Sequence, residues 1–254
     1  MHRLLVFLQK LRRRGRLGKG FERIFLFLDR ILNGIIILVS AVILLVSSYS
    51  LFDNYRIHRE ASDPSLLVYK PSTGDVQDAD EEWLDGQAAW IIIDGSYIDF
   101  PVMQGKNNYE YLNKDPYGEF KLSGSIFLDS RSAGDFSDEY SMIYGHHMDH
   151  YSMFGSLDLF ATEVYFKNHC TGYLMTRDAH YELDLFAVVW GDAGDRIIFM
   201  IEGQTAAEVA AYIDENAVIN TGYEPGRRIV ALSTCAGETG DSRLIVFGMI
   251  KDKV

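Results

Sequence analysis

Two stretches of this chain gather the residue types from which a nucleophilic site is built. One runs from Arg227 to Val254, RRIVALSTCAGETGDSRLIVFGMIKDKV. An apolar run carries Cys235 to its end, the loop AGETGDS follows, and Arg243 opens a second apolar run. If the two runs are neighbouring strands, Cys235 and Arg243 face one another across the loop mouth. A thiol acts as a nucleophile near neutral pH only when something lowers its pKa or takes its proton. A nearby guanidinium stabilises the thiolate and, later, the oxyanion of a tetrahedral intermediate. The other stretch is SMIYGHHMDHYSMFGSL, where Gly145 ends an apolar run and His146, His147 and His150 follow. A histidine at a strand end can point into a cleft, and imidazole is the usual proton carrier at physiological pH.

The same residues admit plainer readings. Taken alone, Cys235 is a buried core cysteine and Arg243 a surface arginine. His146 and His150 would share a face if the stretch were helical, with Asp149 adding a carboxylate, and that pattern suggests a metal. His147, however, stands where an H-E-x-x-H helix has its glutamate, and a strand-to-loop setting denies the residues helical geometry. No metal is therefore expected. Cys170, in FKNHCTGY, is the second of two cysteines, and in an exported chain the two could pair. No C-x-x-C is present, which argues against a thiol oxidoreductase.

The elements that would position these groups are mostly short β-type runs bounded by Gly, Asp and Asn. Strands are expected at 88–94, 97–104, 124–129, 140–145, 163–168, 172–177, 180–191, 227–234 and 243–251. Helical patterns are fewer: 108–113, 152–159 and, most clearly, TAAEVAAYIDEN at 205–216, where Thr205 and Glu208 form a capping box. Many strands at short spacing with a few helices between them argue for a mainly β fold, a closed or nearly closed barrel with helical decoration. Residues 53–87 are polar and broken by Pro64, Pro71 and Gly74, a linker with a short helical lead-in to a barrel at 88–254.

Residues 31–52, ILNGIIILVSAVILLVSSYSLF, carry no charge over 22 residues. As a helix they span about 33 Å, enough for a bilayer core of roughly 30 Å. Nine of the 24 Lys/Arg but only two of the 36 Asp/Glu fall within residues 1–30. That excess places the N-terminus in the cytoplasm and the barrel outside the cell, with the apolar run as a single-pass anchor in the cell membrane. The run is long for the core of a cleaved signal peptide. Leu, Phe and Ile interleave with the basic residues of 4–28, a pattern suited to an anionic inner leaflet. The rest of the chain is strongly acidic and would repel phosphate backbones, so nucleic acid is not an expected partner.

Taken together, the motifs resemble the sortases, cysteine transpeptidases of Gram-positive bacterial surfaces. Ser233-Thr234-Cys235 matches the nucleophile strand of that family, Gly145-His146 its histidine, and Arg243 the arginine of the following strand. WIIIDGSYIDFPVMQGKNNYEYLNKD is similar to the family's opening strand pair and short helix, and GSIFLD and MFGSL also fit, so the resemblance covers roughly residues 85–251. The helix before the nucleophile strand and the helical lead-in are most similar to class B. Pilus-building class C members usually carry a second, C-terminal span, which is not expected after Val254. Some class B members have an acidic residue two positions after the cysteine; Gly237 stands there, with Glu238 and Asp241 nearby, and no third carboxylate is assigned.

The resemblance implies a closed barrel of about eight strands and a thioester mechanism that requires no metal or organic cofactor. Cys235 attacks a carbonyl in the C-terminal sorting signal of an exported protein, with Arg243 as oxyanion and thiolate stabiliser. His146 serves as general acid/base, and an amine of a peptidoglycan precursor takes the acyl group. It implies a peptide groove involving Asn108, Leu112, Tyr144 and Thr234. Two alternatives stand beside it: an extracellular cysteine peptidase that releases its product to water, and a membrane-tethered binding domain without catalysis.

Overall fold

The computed structural model describes residues 19–61, 63–72, 82–235 and 242–253, and they form two compact units divided after Tyr55. The first is helical: α1 runs Lys19–Ala61 and continues past the division. Its 34-residue segment Arg23–Arg56 is long and apolar enough to cross a membrane. The helix covers the expected 31–52 span and continues through 53–61, where an irregular linker was expected. The reason is local: after Phe52 the first backbone breaker is Pro64, and Pro opens a new 3-10 helix at Pro64–Tyr69, capped by Asp63.

The second unit holds nine strands among its described residues: β1 Gln87–Ile93, β2 Asp99–Met103, β3 Ile126–Leu128, β4 Tyr140–Gly145, β5 Thr171–Thr176, β6 His180–Asp192, β7 Ala217–Asn220, β8 Arg228–Cys235 and β9 Ser242–Lys253. Their order is β5-β1-β2-β3-β4-β8-β9-β6-β7, and β5 also pairs with β6. Eight strands therefore close into a barrel, with β7 attached to the outside of the ring at β6. The β2–β3 and β4–β8 pairs are parallel and the rest antiparallel.

Strand alternation sorts the side chains into three apolar layers. One cluster draws on all eight ring strands, with Ile91, Val102, Leu128, Ile143, Leu174, Leu185, Leu232 and Val246 among its members, so it fills the barrel interior. The opposite phase of β4, β8, β9 and β6 (Met142, Ala231, Phe247 and Val189) forms a second layer on the outer face. Helix α4, Ala206–Asn216, covers it with Ala206, Val209, Ala210 and Ile213, an i, i+3, i+4, i+7 stripe. The expected capping box is present, with the Thr205 amide donating to Glu208 at 3.1 Å and the Glu208 amide to Thr205 Oγ1 at 3.3 Å. A third layer around Trp90, Met103, Phe127 and Met175 lies under Leu66, Leu84 and Tyr111.

Three sequence expectations change. EVYFKN, expected as a strand, is helix α2, Glu163–Asn168. Its Glu163–Lys167 pair bonds one turn apart at 2.6 Å, and burial of Phe166 against Phe160 overrides the β propensity of Val and Tyr. Helix α3, Arg196–Phe199, capped by Asp195, and strand β7 were not expected; both are only four residues long, too short for periodicity to register. The 205–216 helix and the short helical turns near 108–113 and 152–159 are present, the latter two as 3-10 helices at Tyr111–Asn113 and Phe154–Ala161.

Candidate active site

The parallel β4–β8 pair and the antiparallel β8–β9 pair put the residues singled out in the sequence side by side. Gly145 stands opposite Thr234 in one ladder, and Cys235 stands opposite Arg243 in the next. Continuing the β4 register by one residue brings His146 level with Cys235. Three distant segments thus meet in one row across three adjacent strands, all at the same end of the barrel. The row below it is Gly145, Thr234 and Leu244, and the next, in the same strand phase as His146, Cys235 and Arg243, is Tyr144, Ser233 and Ile245.

Beside this row lies a cleft of about 310 Å³, lined by Asn108, Leu112, Phe127, Arg131, Tyr144, Gly145, His146, Ala193, Phe199, Ser233, Thr234 and Arg243. It opens where the two outer apolar layers meet, and Tyr144 packs against both. All four residues expected in a groove (Asn108, Leu112, Tyr144 and Thr234) line it. Thr234 contributes only a sliver, being 1 % exposed, because its phase in β8 is that of the barrel interior. Cys170 carries a free thiol, 3.9 Å from the Lys167 carbonyl, which removes a bridge between the two cysteines. Gly237, Glu238 and Asp241 lie outside the described residues.

His146 is held by the backbone. Its Nε2 lies 2.8 Å from the Leu112 carbonyl oxygen. A carbonyl only accepts, so Nε2 carries a proton and Nδ1 is the nitrogen left to exchange one. Leu112 therefore serves the cleft with its side chain and His146 with its main chain. His147 points elsewhere, its Nε2 2.8 Å from Asp158.

Gly145 explains the Gly-His pair physically. A Cβ at this position would come within 2.5 Å of Ile126 and 2.6 Å of Phe154, both buried. Any larger residue pushes the strand end away from the barrel and takes His146 with it. Beyond His146 the chain turns sharply, with left-handed backbone at His150 (φ 56°), Tyr151 (φ 61°) and Met153 (φ 50°). Non-glycine residues adopt such angles only when their surroundings hold them there. Here the hold is the Phe154 amide donating to the His146 carbonyl at 3.1 Å, the His147–Met153 bridge, and the Tyr97–Tyr151 ring stack at 5.8 Å.

Sequence reading missed several cleft residues. Arg131 and Ala193 come from turns and Phe199 from the four-residue α3, where hydrophobic pattern gives no signal. Ser233 was read only as part of the nucleophile strand, yet its buried Oγ lines the cleft without a partner among the described residues. Asp129 was missed too. Its carboxylate is wholly buried and accepts from Asn108 Nδ2 (2.8 Å), Tyr144 Oη (3.0 Å) and Arg131 Nε and Nη2 (2.9 and 2.7 Å). Burial alone would raise its pKa, but these donors hold it below the usual carboxylate value. Burial, with the Asp129 charge beside it, raises the Tyr144 phenol well above its ordinary value, so Tyr144 stays a neutral phenol. The Asp-x-Arg spacing after the GSIFL run was the one available clue.

No family model matches the chain. Sortase B of Staphylococcus aureus (strain NCTC 8325 / PS 47) is 29% identical over 170 residues, which span 64% of this chain and 69% of that protein. Among solved structures, a Streptococcus pyogenes class B sortase involved in pilus biogenesis is 37% identical with a TM-score of 0.61, covering 66% of this chain and 93% of that one. The Staphylococcus aureus sortase B–substrate complex is 28% identical with a TM-score of 0.60, over 67% and 81% of the two chains.

Proposed function

Because this chain belongs to the sortase family and is class B-like, we propose that it is a membrane-anchored cysteine transpeptidase whose nucleophile is Cys235. The family makes it a sortase transpeptidase; the residue roles, the anchor and the substrates are the proposal. The observation that carries it is the register that sets Cys235 opposite Arg243 on β8 and β9 and Gly145 opposite Thr234, with His146 one residue past the end of β4, beside one cleft.

The sorting signal of an exported protein lies extended in the cleft, against Asn108, Leu112 and Tyr144. His146 Nδ1 takes the Cys235 thiol proton, the thiolate adds to a carbonyl of that signal, and Arg243 stabilises the resulting oxyanion. The C–N bond breaks as His146 gives a proton from Nδ1 to the leaving amine, leaving a thioester. An amine of a peptidoglycan precursor then attacks the thioester and loses its proton to His146; the C–S bond breaks and the proton returns to the Cys235 sulfur, which restores the free enzyme. Thr234 and Gly145 keep the two strand ends in register from the interior side. With Arg23–Arg56 crossing the membrane, the basic N-terminal side faces the cytoplasm and the barrel lies outside, where substrate and lipid-linked amine arrive.

The test is product analysis. The full chain in detergent is incubated with an internally quenched peptide bearing a Pro-Xaa-Thr core and an excess of an oligoglycine amine. A transpeptidase yields the new amide. Free acid alone, at every amine concentration, would instead identify a hydrolase.

A further inference from the structure

The mechanism above leaves one buried charge unused. Asp129 follows β3, away from the row of Cys235, yet it is the most heavily bonded carboxylate near the cleft. Besides the side chains already named, the Arg131 amide donates to it at 2.9 Å. A buried carboxylate without such partners would be strongly destabilising, so an arrangement this complete must hold something in place.

What it holds is the opposite wall. Arg131 grips the carboxylate with Nε and Nη2, the fork geometry that fixes a guanidinium plane. The same Nη2 donates to the Phe199 carbonyl at 2.9 Å. Phe199 ends α3, a single turn whose last carbonyls have no partner within the helix. Tyr140 Oη takes the neighbouring carbonyl, Ile198, at 3.0 Å. Two barrel side chains therefore anchor this turn, and Phe199 with Ala193 forms the cleft wall on the β6–β7 connection.

Asp129 also sets polarity. The Tyr144 hydroxyl donates its proton to Asp129 and keeps only lone pairs to offer. The Arg131 guanidinium lies beside the same phenol and brings further N–H groups to this wall. An acceptor and a donor fixed on one wall match the alternating N–H and C=O of an extended peptide.

We propose that Asp129 and Arg131 are a positioning pair that fixes the peptide-binding wall of the cleft, Asp129 orienting Arg131 and Tyr144, and Arg131 tying the α3 turn to the barrel. The role in peptide binding rests on the sortase reading of the cleft; the tie itself does not.

Arg131→Lys separates the possibilities, since it keeps the charge beside Asp129 but cannot fork to the carboxylate and reach Phe199 together. With the full chain in detergent, Cys235 modification is followed by peptide-mapping mass spectrometry, using iodoacetamide and a Pro-Xaa-Thr peptidyl vinyl sulfone. The peptide probe should react about tenfold more slowly or worse in the variant, the worth of one charged hydrogen bond. The iodoacetamide rate should stay within about twofold, since the nucleophile is untouched. Amide exchange over 193–204 should quicken in the same variant. Asp129→Asn, which places an amide donor among converging donors, should move all three readings the same way. An unchanged peptide rate in Arg131→Lys, or an iodoacetamide rate that falls in parallel, overturns the proposal. If the wild-type chain itself shows no preference for the peptide probe, the sortase reading of the cleft fails, and exchange at 193–204 still decides whether the tie exists.

Discussion

Arg243→Lys puts a magnitude on the oxyanion role. Arg243 stands opposite Cys235 in the ladder, half-buried, and lines the cleft with His146. Its Nη1 donates to the Ser242 carbonyl at 3.0 Å. A guanidinium carries five N–H donors in one plane, so bracing against its own strand does not exhaust what it can direct at a developing charge. A lysine keeps the charge but has a single nitrogen on a flexible stem. It must choose between the Ser242 carbonyl and the oxyanion. Losing one preorganised oxyanion donor lowers kcat by about 10²–10³, or roughly 2.7–4 kcal/mol. Because the charge remains, Arg243→Lys belongs at the lower end, about a hundredfold in kcat, with KM within about threefold. Steady-state cleavage of the quenched Pro-Xaa-Thr peptide with saturating amine measures both constants. A kcat within about threefold of wild type would remove Arg243 from the oxyanion step, whatever its proximity.

Other outcomes follow from the same geometry. His146→Ala should abolish turnover, whereas His147→Ala, which breaks only a surface pair with Asp158, should lower kcat less than about tenfold; the reverse ranking would mean that the other ring carries the proton. Gly145→Ala forces a methyl against Ile126 and Phe154 and should cost about 1–3 kcal/mol in chemical denaturation, with a larger proportional loss of kcat. The Asp129 carboxyl sits below its unfolded-state pKa, so its stabilisation is fully present above about pH 4 and lost as pH falls through the folded value. Asp129→Asn should therefore be less stable than wild type at neutral pH, and the gap in melting temperature should narrow on acidification. For the anchor, the chain should resist alkaline extraction from membranes, and protease added outside intact cells should digest the barrel but spare the basic N-terminal segment.

Much of this was legible in the sequence because it depends on local pattern. Short apolar β-type runs at 140–145, 227–234 and 243–251 give the three strands that carry the site, and the capping box at Thr205 gives the helix that covers them. Their adjacency is less legible. Nothing in composition says that β4 lies parallel to β8, and only the family resemblance predicted that His146 and Cys235 meet. The strand assigned to EVYFKN went wrong because a six-residue window with Val, Tyr and Phe has no clear period, and burial of Phe166 decides its form. Asp129 and Arg131 escaped notice for a different reason. Their importance lies in bonds to Asn108, Tyr144 and the Phe199 carbonyl, contacts separated by 15 to 68 residues. An isolated Asp-Ser-Arg on a loop reads as ordinary solvated charge.

The whole account depends on a covalent intermediate at one sulfur. The full chain, mixed with the Pro-Xaa-Thr peptide in the absence of amine and quenched in acid within a turnover, should show an intact mass increased by the acyl fragment. Peptide mapping should find that mass on the segment containing Cys235, and hydroxylamine should remove it. Cys235→Ala should show neither adduct nor cleavage. Undiminished cleavage by Cys235→Ala, or an adduct that maps to Cys170, would contradict the assignment.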